Sequence, residues 1–189
     1  MGVNLGPKEI GAIGKVGAMS IGQTFTTSRL NLVPFQSNDL QILHQLFIHP
    51  FIRKHLWDNR VVNQQETTSI LQENEVHFAE NRWGLWQIRL QNEAEPIGFV
   101  GLWFFFDEPQ PQLIYGLLPN FCGKGYAAEA SQCILHYSFD HLRFSYIDAA
   151  MDQNHMSSIK VAKRLGMSLL KTTEHGPAGT LFYRIYTAG

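Results

Sequence analysis

The chain has 189 residues, 44% of them apolar, which is enough for one domain with a sizeable core. A formal charge of −1 and a pI near 6.7, with Lys and Arg scattered, leave no basic field to attract nucleic acid. No apolar run is long enough for a membrane span, and Cys122 and Cys133 make no disulfide framework, a usage that fits a reducing cytoplasm.

The first 26 residues differ in kind from the remainder. Gly2, Gly6, Gly11, Gly14, Gly17 and Gly22 recur through them without apolar periodicity, so a flexible tail is expected over 1–26 and a folded domain over 27–189. The continuous apolar centre of a secretory signal is absent, and Gly6 stands where a myristoylation signal wants Ser or Thr. The alternation in Arg29–Pro34 then predicts a first strand. Ser37 offers a cap for a helix reaching Ile48, His49-Pro50 breaks it, and Phe51–Trp57 reads as a short second helix. A longer helix runs from Asn63 or Gln64 to Glu80.

Strands are expected at Leu85–Leu90, Ile97–Phe106 and Gln112–Leu118, the middle one so apolar that it must be covered on both faces. Tyr126, Ala130, Cys133 and Tyr137 share one face of a helix ending near Asp140. A strand at Tyr146–Met151, a helix Ser157–Leu165 stopped by Gly166, and strands Ser168–Thr173 and Thr180–Thr187 complete the chain. This order predicts an α+β domain: a mixed, mostly antiparallel sheet of about seven strands with helices on both faces.

The stretch Phe121-Cys122-Gly123-Lys124-Gly125-Tyr126-Ala127-Ala128-Glu129-Ala130 joins a predicted strand to a predicted helix. Glycines there let backbone approach a bulky anion, and the helix's first N–H groups have no intrahelical partner, which together make a pyrophosphate site. Walker A fails because Gly125 follows Lys124, and the dinucleotide fingerprint fails because Ala128 stands at its third glycine. The stretch instead resembles the acyl-CoA loop of the GNAT N-acetyltransferase superfamily, Gln/Arg-x-x-Gly-x-Gly/Ala. Gly125 and Ala127 match its last positions, and Cys122 departs from Gln/Arg. Gly-Lys-Gly-Tyr-Ala-x-Glu-Ala and the opening Thr27–Pro34, with Val33 where Arg is usual, are similar to the RimJ/RimL-like branch.

That resemblance covers about residues 27–187 and implies a GNAT fold in which acyl-CoA inserts between a splayed pair of strands. It implies cofactor contacts from Leu117 and Leu118 through backbone groups, and from Cys122, Gly123, Lys124, Gly125, Tyr126 and Ala127. The segment Asp152–Met167 looks like the family's Asn-x-x-Ser…Leu-Gly-Met stretch. Asn154 would touch the pantetheine arm, and Ser157 or Ser158, one residue apart in register, would face the sulfur. Asn before Ser-Ser is equally an ordinary helix cap. The family's thiolate-protonating Tyr is replaced by Ala162, and its Glu at the head of the preceding strand by Gln112.

Transfer of an acetyl group to an amine requires a proton acceptor, a polarised thioester carbonyl and a departing thiolate. Catalytic candidates are Asn154, Ser157 and Ser158. Trp57, Trp86 and Tyr115 are candidates for the acceptor pocket, with Asp58 and Trp83 beside it, while Glu129 reads as structural. Cys122 beside a helix N-terminus is a conceivable nucleophile, but no Cys/His/Asn pattern supports one. The eight histidines contain no His-Glu-x-x-His, and His44, His49 and His55 form no i, i+4 pair, so no metal is expected.

The expectation is therefore an acetyl-CoA-dependent N-acetyltransferase, monomeric or homodimeric, without nucleic-acid or membrane partners. Its acceptor would be a small-molecule amine or a protein N-terminus, with the absence of an acidic cluster favouring the small molecule. Acyl-CoA binding without catalysis, as a sensor, is the rival reading.

Overall fold

The computed structural model describes residues 22–106, 108–174 and 178–187. Strands β1 (Phe25–Thr26), β2 (Leu30–Pro34), β3 (Leu85–Leu90), β4 (Pro96–Trp103) and β5 (Gln112–Leu117) form an antiparallel five-stranded sheet in chain order. Helices α1 (Leu40–Ile48), α2 (Pro50–Leu56) and α3 (Gln64–Asn81) are inserted between β2 and β3. Helix α4 (Tyr126–Asp140) follows β5. Strand β6 (Tyr146–Asp152), helix α5 (Met156–Arg164), and strands β7 (Ser168–Thr173) and β8 (Thr180–Tyr186) close the chain, the strands pairing in the order β6-β8-β7.

The α+β class agrees with the sequence reading, but the ladder is divided into two sheets of five and three strands rather than one of about seven. The added strand is β1, which lies inside the expected tail. Phe25 pairs with Leu32 and packs 4.9 Å from the Tyr137 ring, and the Trp86 indole Nε1–H donates to the Gln23 carbonyl at 2.7 Å. The fold thus begins before Thr27, and residues 1–21 of that expected tail lie outside the described residues.

The five-stranded sheet has two apolar faces because β4 is apolar on both. Val100 and Leu102 meet Ala130, Ile134 and Leu135 of α4, whereas Phe99 and Trp103 meet Phe47, Ile70 and Leu71 of α1 and α3. β4 ends at Trp103 rather than Phe106, whose φ of 55° is left-handed and cannot continue a ladder.

Helix α3 begins with a reciprocal cap. Asn63 Oδ1 accepts from the Glu66 N–H at 2.9 Å, and a Glu66 carboxylate oxygen accepts from the Asn63 N–H at 2.7 Å. Farther along, the fully buried Asn74 donates to the Phe35 carbonyl at 2.9 Å and accepts from the Leu85 N–H at 2.6 Å. One amide therefore satisfies the end of β2 and the start of β3. Asn74→Leu strands both backbone groups away from water, each costing about 1–3 kcal/mol. Urea unfolding is expected to show a loss of about 2–4 kcal/mol; a loss under about 0.5 kcal/mol would mean that the amide does not hold these ends.

Candidate active site

The last strand of the first sheet and the first of the second, β5 and β6, lie beside one another without sharing a ladder. Leu118 N–H bonds to the Ile97 carbonyl at 2.9 Å, on the β4 side. Backbone polar groups alternate along a strand, so those of Leu117 and Tyr115 point to the other edge, toward β6. That edge opens into a cleft of about 560 Å³ walled by β5, β6, α2, α5 and the turn into α4.

At one end is the glycine turn. Gly125 is the N-cap of α4 with φ 85°, and no side chain caps the helix, so its first N–H groups are free of an intrahelical acceptor. A methyl group at Gly125 would sit 3.5 Å from Arg29 Nη2 and 3.6 Å from Arg164 Nη1, so two guanidinium groups flank the turn. Free N–H groups, a helix dipole and two cations favour an anion.

Glu129, one turn into α4, fixes this end. One oxygen accepts from the Thr27 hydroxyl at 2.6 Å, the Ser28 hydroxyl at 2.9 Å and the Arg29 N–H at 2.9 Å; the other accepts from Arg29 Nε at 2.7 Å. Arg29 also donates to the Lys124 carbonyl at 3.0 Å and lies over the Tyr126 ring at 4.5 Å. Burial works to raise the Glu129 pKa, but the bonds from Thr27, Arg29 and Ser28 together outweigh it and hold the carboxyl below its usual value.

Helix α5 carries the cleft to its other end. Arg164 near its C-terminus stands at the glycine turn, so His155 at its N-cap lies roughly 13 Å farther along the axis, at about 1.5 Å per residue. Midway, the Tyr115 hydroxyl donates to the Ser158 carbonyl at 3.2 Å, and burial pushes its pKa up to about 12. At the far end His55 Nδ1 lies 2.7 Å from Asp152 Oδ2, and the rings of His55 and His155 stack at 3.7 Å and 10°. Burial first, then the charges of His55 and Lys54, lower the His155 pKa to about 4, so this imidazole is neutral at pH 7. The stacked rings present faces rather than lone pairs to each other, and among the described residues no group of three His, Cys, Asp or Glu side chains could hold a metal.

Of the residues expected from sequence, Leu117, Cys122, Gly123, Gly125, Tyr126, Ala127, Tyr115, Ser157 and Ser158 line the cleft. Lys124 is outside it, exposed, with its ammonium 5.6 Å from the Phe121 ring centre. Leu118 is also outside, and its N–H is already committed to Ile97, which removes it as a donor to a bound arm. Asn154 lies in the exposed turn before α5; the helix cap there is His155.

The two tryptophans are corrected outright. Trp57 and Trp86 are 2% and 0% exposed, belong to the two apolar cores, and line no part of the cleft. Cys122 stays at the cleft wall: its thiol lies near the Leu118 carbonyl, and burial raises its pKa where the nearby helix end alone would lower it. Arg29, Arg164, His55, Asp152 and His155 were not singled out as site residues. The Arg29 and His55 contacts join positions about a hundred residues apart, for which the sequence carries no spacing signal.

A split pair of strands with a glycine turn and an uncapped helix at one end is the arrangement that the GNAT resemblance implies. The acetyltransferase (GNAT) domain model matches residues 29–168, and the chain belongs to that family of N-acetyltransferases. Among similar proteins is one named uncharacterized N-acetyltransferase YnaD from Bacillus subtilis, 27% identical over 142 residues, 75% of this chain and 81% of that protein. An acetyltransferase structure from Agrobacterium tumefaciens superposes with a TM-score of 0.76 at 22% identity, covering 92% of this chain and all of that one. RimL, a ribosomal L7/L12 α-N-protein acetyltransferase solved with coenzyme A, superposes with a TM-score of 0.73 at 20% identity, covering 87% and 98%.

Two outcomes are expected at the glycine turn. Gly125→Asp, whose side chain tolerates the left-handed backbone better than most, places a carboxylate between Arg29 and Arg164 and should weaken acetyl-CoA binding at least about tenfold by calorimetry; unchanged affinity would remove the anion assignment. For Glu129→Gln, the lowered folded pKa means that the stabilisation is present above the ordinary carboxyl pKa and is lost as pH falls through the folded value. Thermal melts of the two proteins should therefore differ at pH 7 and converge below about pH 4; a constant difference would contradict the ionic role.

Proposed function

We propose that this chain transfers an acetyl group from acetyl-CoA to a small-molecule primary amine by direct attack within a ternary complex, in the cytoplasm. The observation that carries the reading is the open β5 edge running from the glycine turn toward a partly apolar part of the same cleft. The pyrophosphate would lie on the α4 N-terminus between Arg29 and Arg164. The pantetheine amides would pair with the free backbone groups of Tyr115 and Leu117, as an added strand does. Acetyl-CoA supplies the activated acyl group, and the chain's own residues orient the thioester and exclude water from it.

Phe51, Ile52, Leu56 and Phe106 wall the chamber beside Asp58 and Asp152. Such a lining suits an apolar body carrying an ammonium head, which favours a compact amine over an extended peptide. The RimL likeness supports a protein N-terminal α-amine as the second reading. Calorimetric titration with acetyl-CoA, followed by thiol release against alkylamines, arylamines, polyamines and short peptides, tests both. We expect a dissociation constant within about 1 μM–1 mM and release with apolar amines. Release only with peptides would overturn the acceptor class, and binding without any release would favour an acyl-CoA sensor.

A further inference from the structure

We propose that His55 is the proton acceptor for the incoming amine, with Asp152 as the positioning residue that fixes its tautomer. This rests on the acetyl-transfer reading above. A carboxylate can only accept hydrogen bonds, so the 2.7 Å contact between His55 Nδ1 and Asp152 Oδ2 places the proton on Nδ1. The lone pair is then on Nε2, the arrangement in which an imidazole serves as a base and its partner carboxylate steadies the imidazolium that forms. Both side chains line the cleft and are about one-fifth exposed, enough to reach a substrate and dry enough to hold one geometry.

The surroundings support the assignment. Across the ring of His55 lies His155, stacked at 3.7 Å; its neutrality at pH 7 means that protonating His55 does not set two cations face to face. Lys54 precedes His55 on α2, Asp58 follows the helix, Lys160 lies on α5 and Tyr115 on β5; the last stays a neutral phenol because its pKa is pushed up to about 12. The cluster is at the end of α5 away from the glycine turn, where the acyl end of a cofactor held by its phosphates at that turn would reach. Gln112, which occupies the position of an acidic residue in the resembling family, cannot act as a base, which leaves that role open to His55.

In the step itself the amine nitrogen bonds to the thioester carbonyl carbon and the carbon–sulfur bond breaks. The proton lost by nitrogen goes to His55 Nε2, and from there or through solvent to the departing thiolate. The products are the amide and the free thiol, and the imidazole returns to its starting form. An amine that binds as its ammonium ion first gives one further proton to solvent.

The test uses the full chain and pairs His55→Gln with Asp152→Asn. Acetyl-CoA affinity, measured by calorimetry, should be unchanged in both. Thiol release with the best amine of the alkyl and aryl panel should fall about 10²–10⁴-fold in His55→Gln. The acid limb of the wild-type pH profile should disappear in that variant and shift in Asp152→Asn, which a purely structural effect would not produce. Nitrogen-15 NMR of the wild-type imidazoles should show His55 protonated at Nδ1 and bare at Nε2 near neutral pH. An Nε2–H tautomer, an unaltered pH profile in His55→Gln, or bound acetyl-CoA with no thiol release on any amine would overturn the assignment. Failure of wild-type protein to bind acetyl-CoA at all would instead remove the acetyl-transfer reading beneath it.

Discussion

Backbone amides along the β6-facing edge of β5 have no neighbouring strand to bond. A polar backbone group buried without a partner costs about 1–3 kcal/mol, so such an edge is tolerated only where water or a ligand can reach it. The remainder of the molecule keeps this edge open. β4 holds β5 from one side, α4 and α5 pack behind and beside it, and β6 is drawn into its own sheet by β8. The cleft therefore offers the place of a missing strand, a position that an extended chain with amide groups could fill through backbone bonds.

Charge is distributed along this slot in a consistent direction. The anion end holds Arg29, Arg164 and the uncapped start of α4, while Glu129 is occupied by Thr27, Ser28 and Arg29. The opposite end holds Asp58 and Asp152, with His155 neutral. A ligand with phosphates at one end and a cationic co-substrate approaching the other meets favourable potential at both. Between the two ends lie Tyr115, Ser157, Ser158 and Val161, with Lys160 on α5 as the one cation among the described lining residues there.

Much of the fold was legible from apolar content and the turn residues between segments. Leu85–Leu90 and Ser168–Thr173 have the bounds the sequence indicates, although the first is mostly buried and the second mostly exposed, and Tyr126–Asp140 is the helix that its apolar face requires. The glycine turn was legible for a local reason: its own backbone residues, Gly123–Ala127, are contiguous. What failed was non-local or hidden by composition. Phe25–Thr26 is strand because Trp86 and Tyr137 lie beside it, a contact that a glycine-rich neighbourhood conceals. Trp57 and Trp86 read equally well as pocket walls from sequence because large aromatics serve both pockets and cores, and only packing separates the two uses. His55 and Asp152 are 97 positions apart, so no local pattern could join them.

Arg29 and Glu129 are 100 positions apart in the chain, yet their pairing braces the glycine turn. Contacts of such long sequence separation close late, because the loop-closure entropy must be overcome before they contribute. A fragment carrying Gly123–Ala127 and α4 alone would thus possess the motif without the cations and hydroxyls that support it. The turn's support is a property of the whole fold: the segment that bears the family's signature is completed by residues from the first strands.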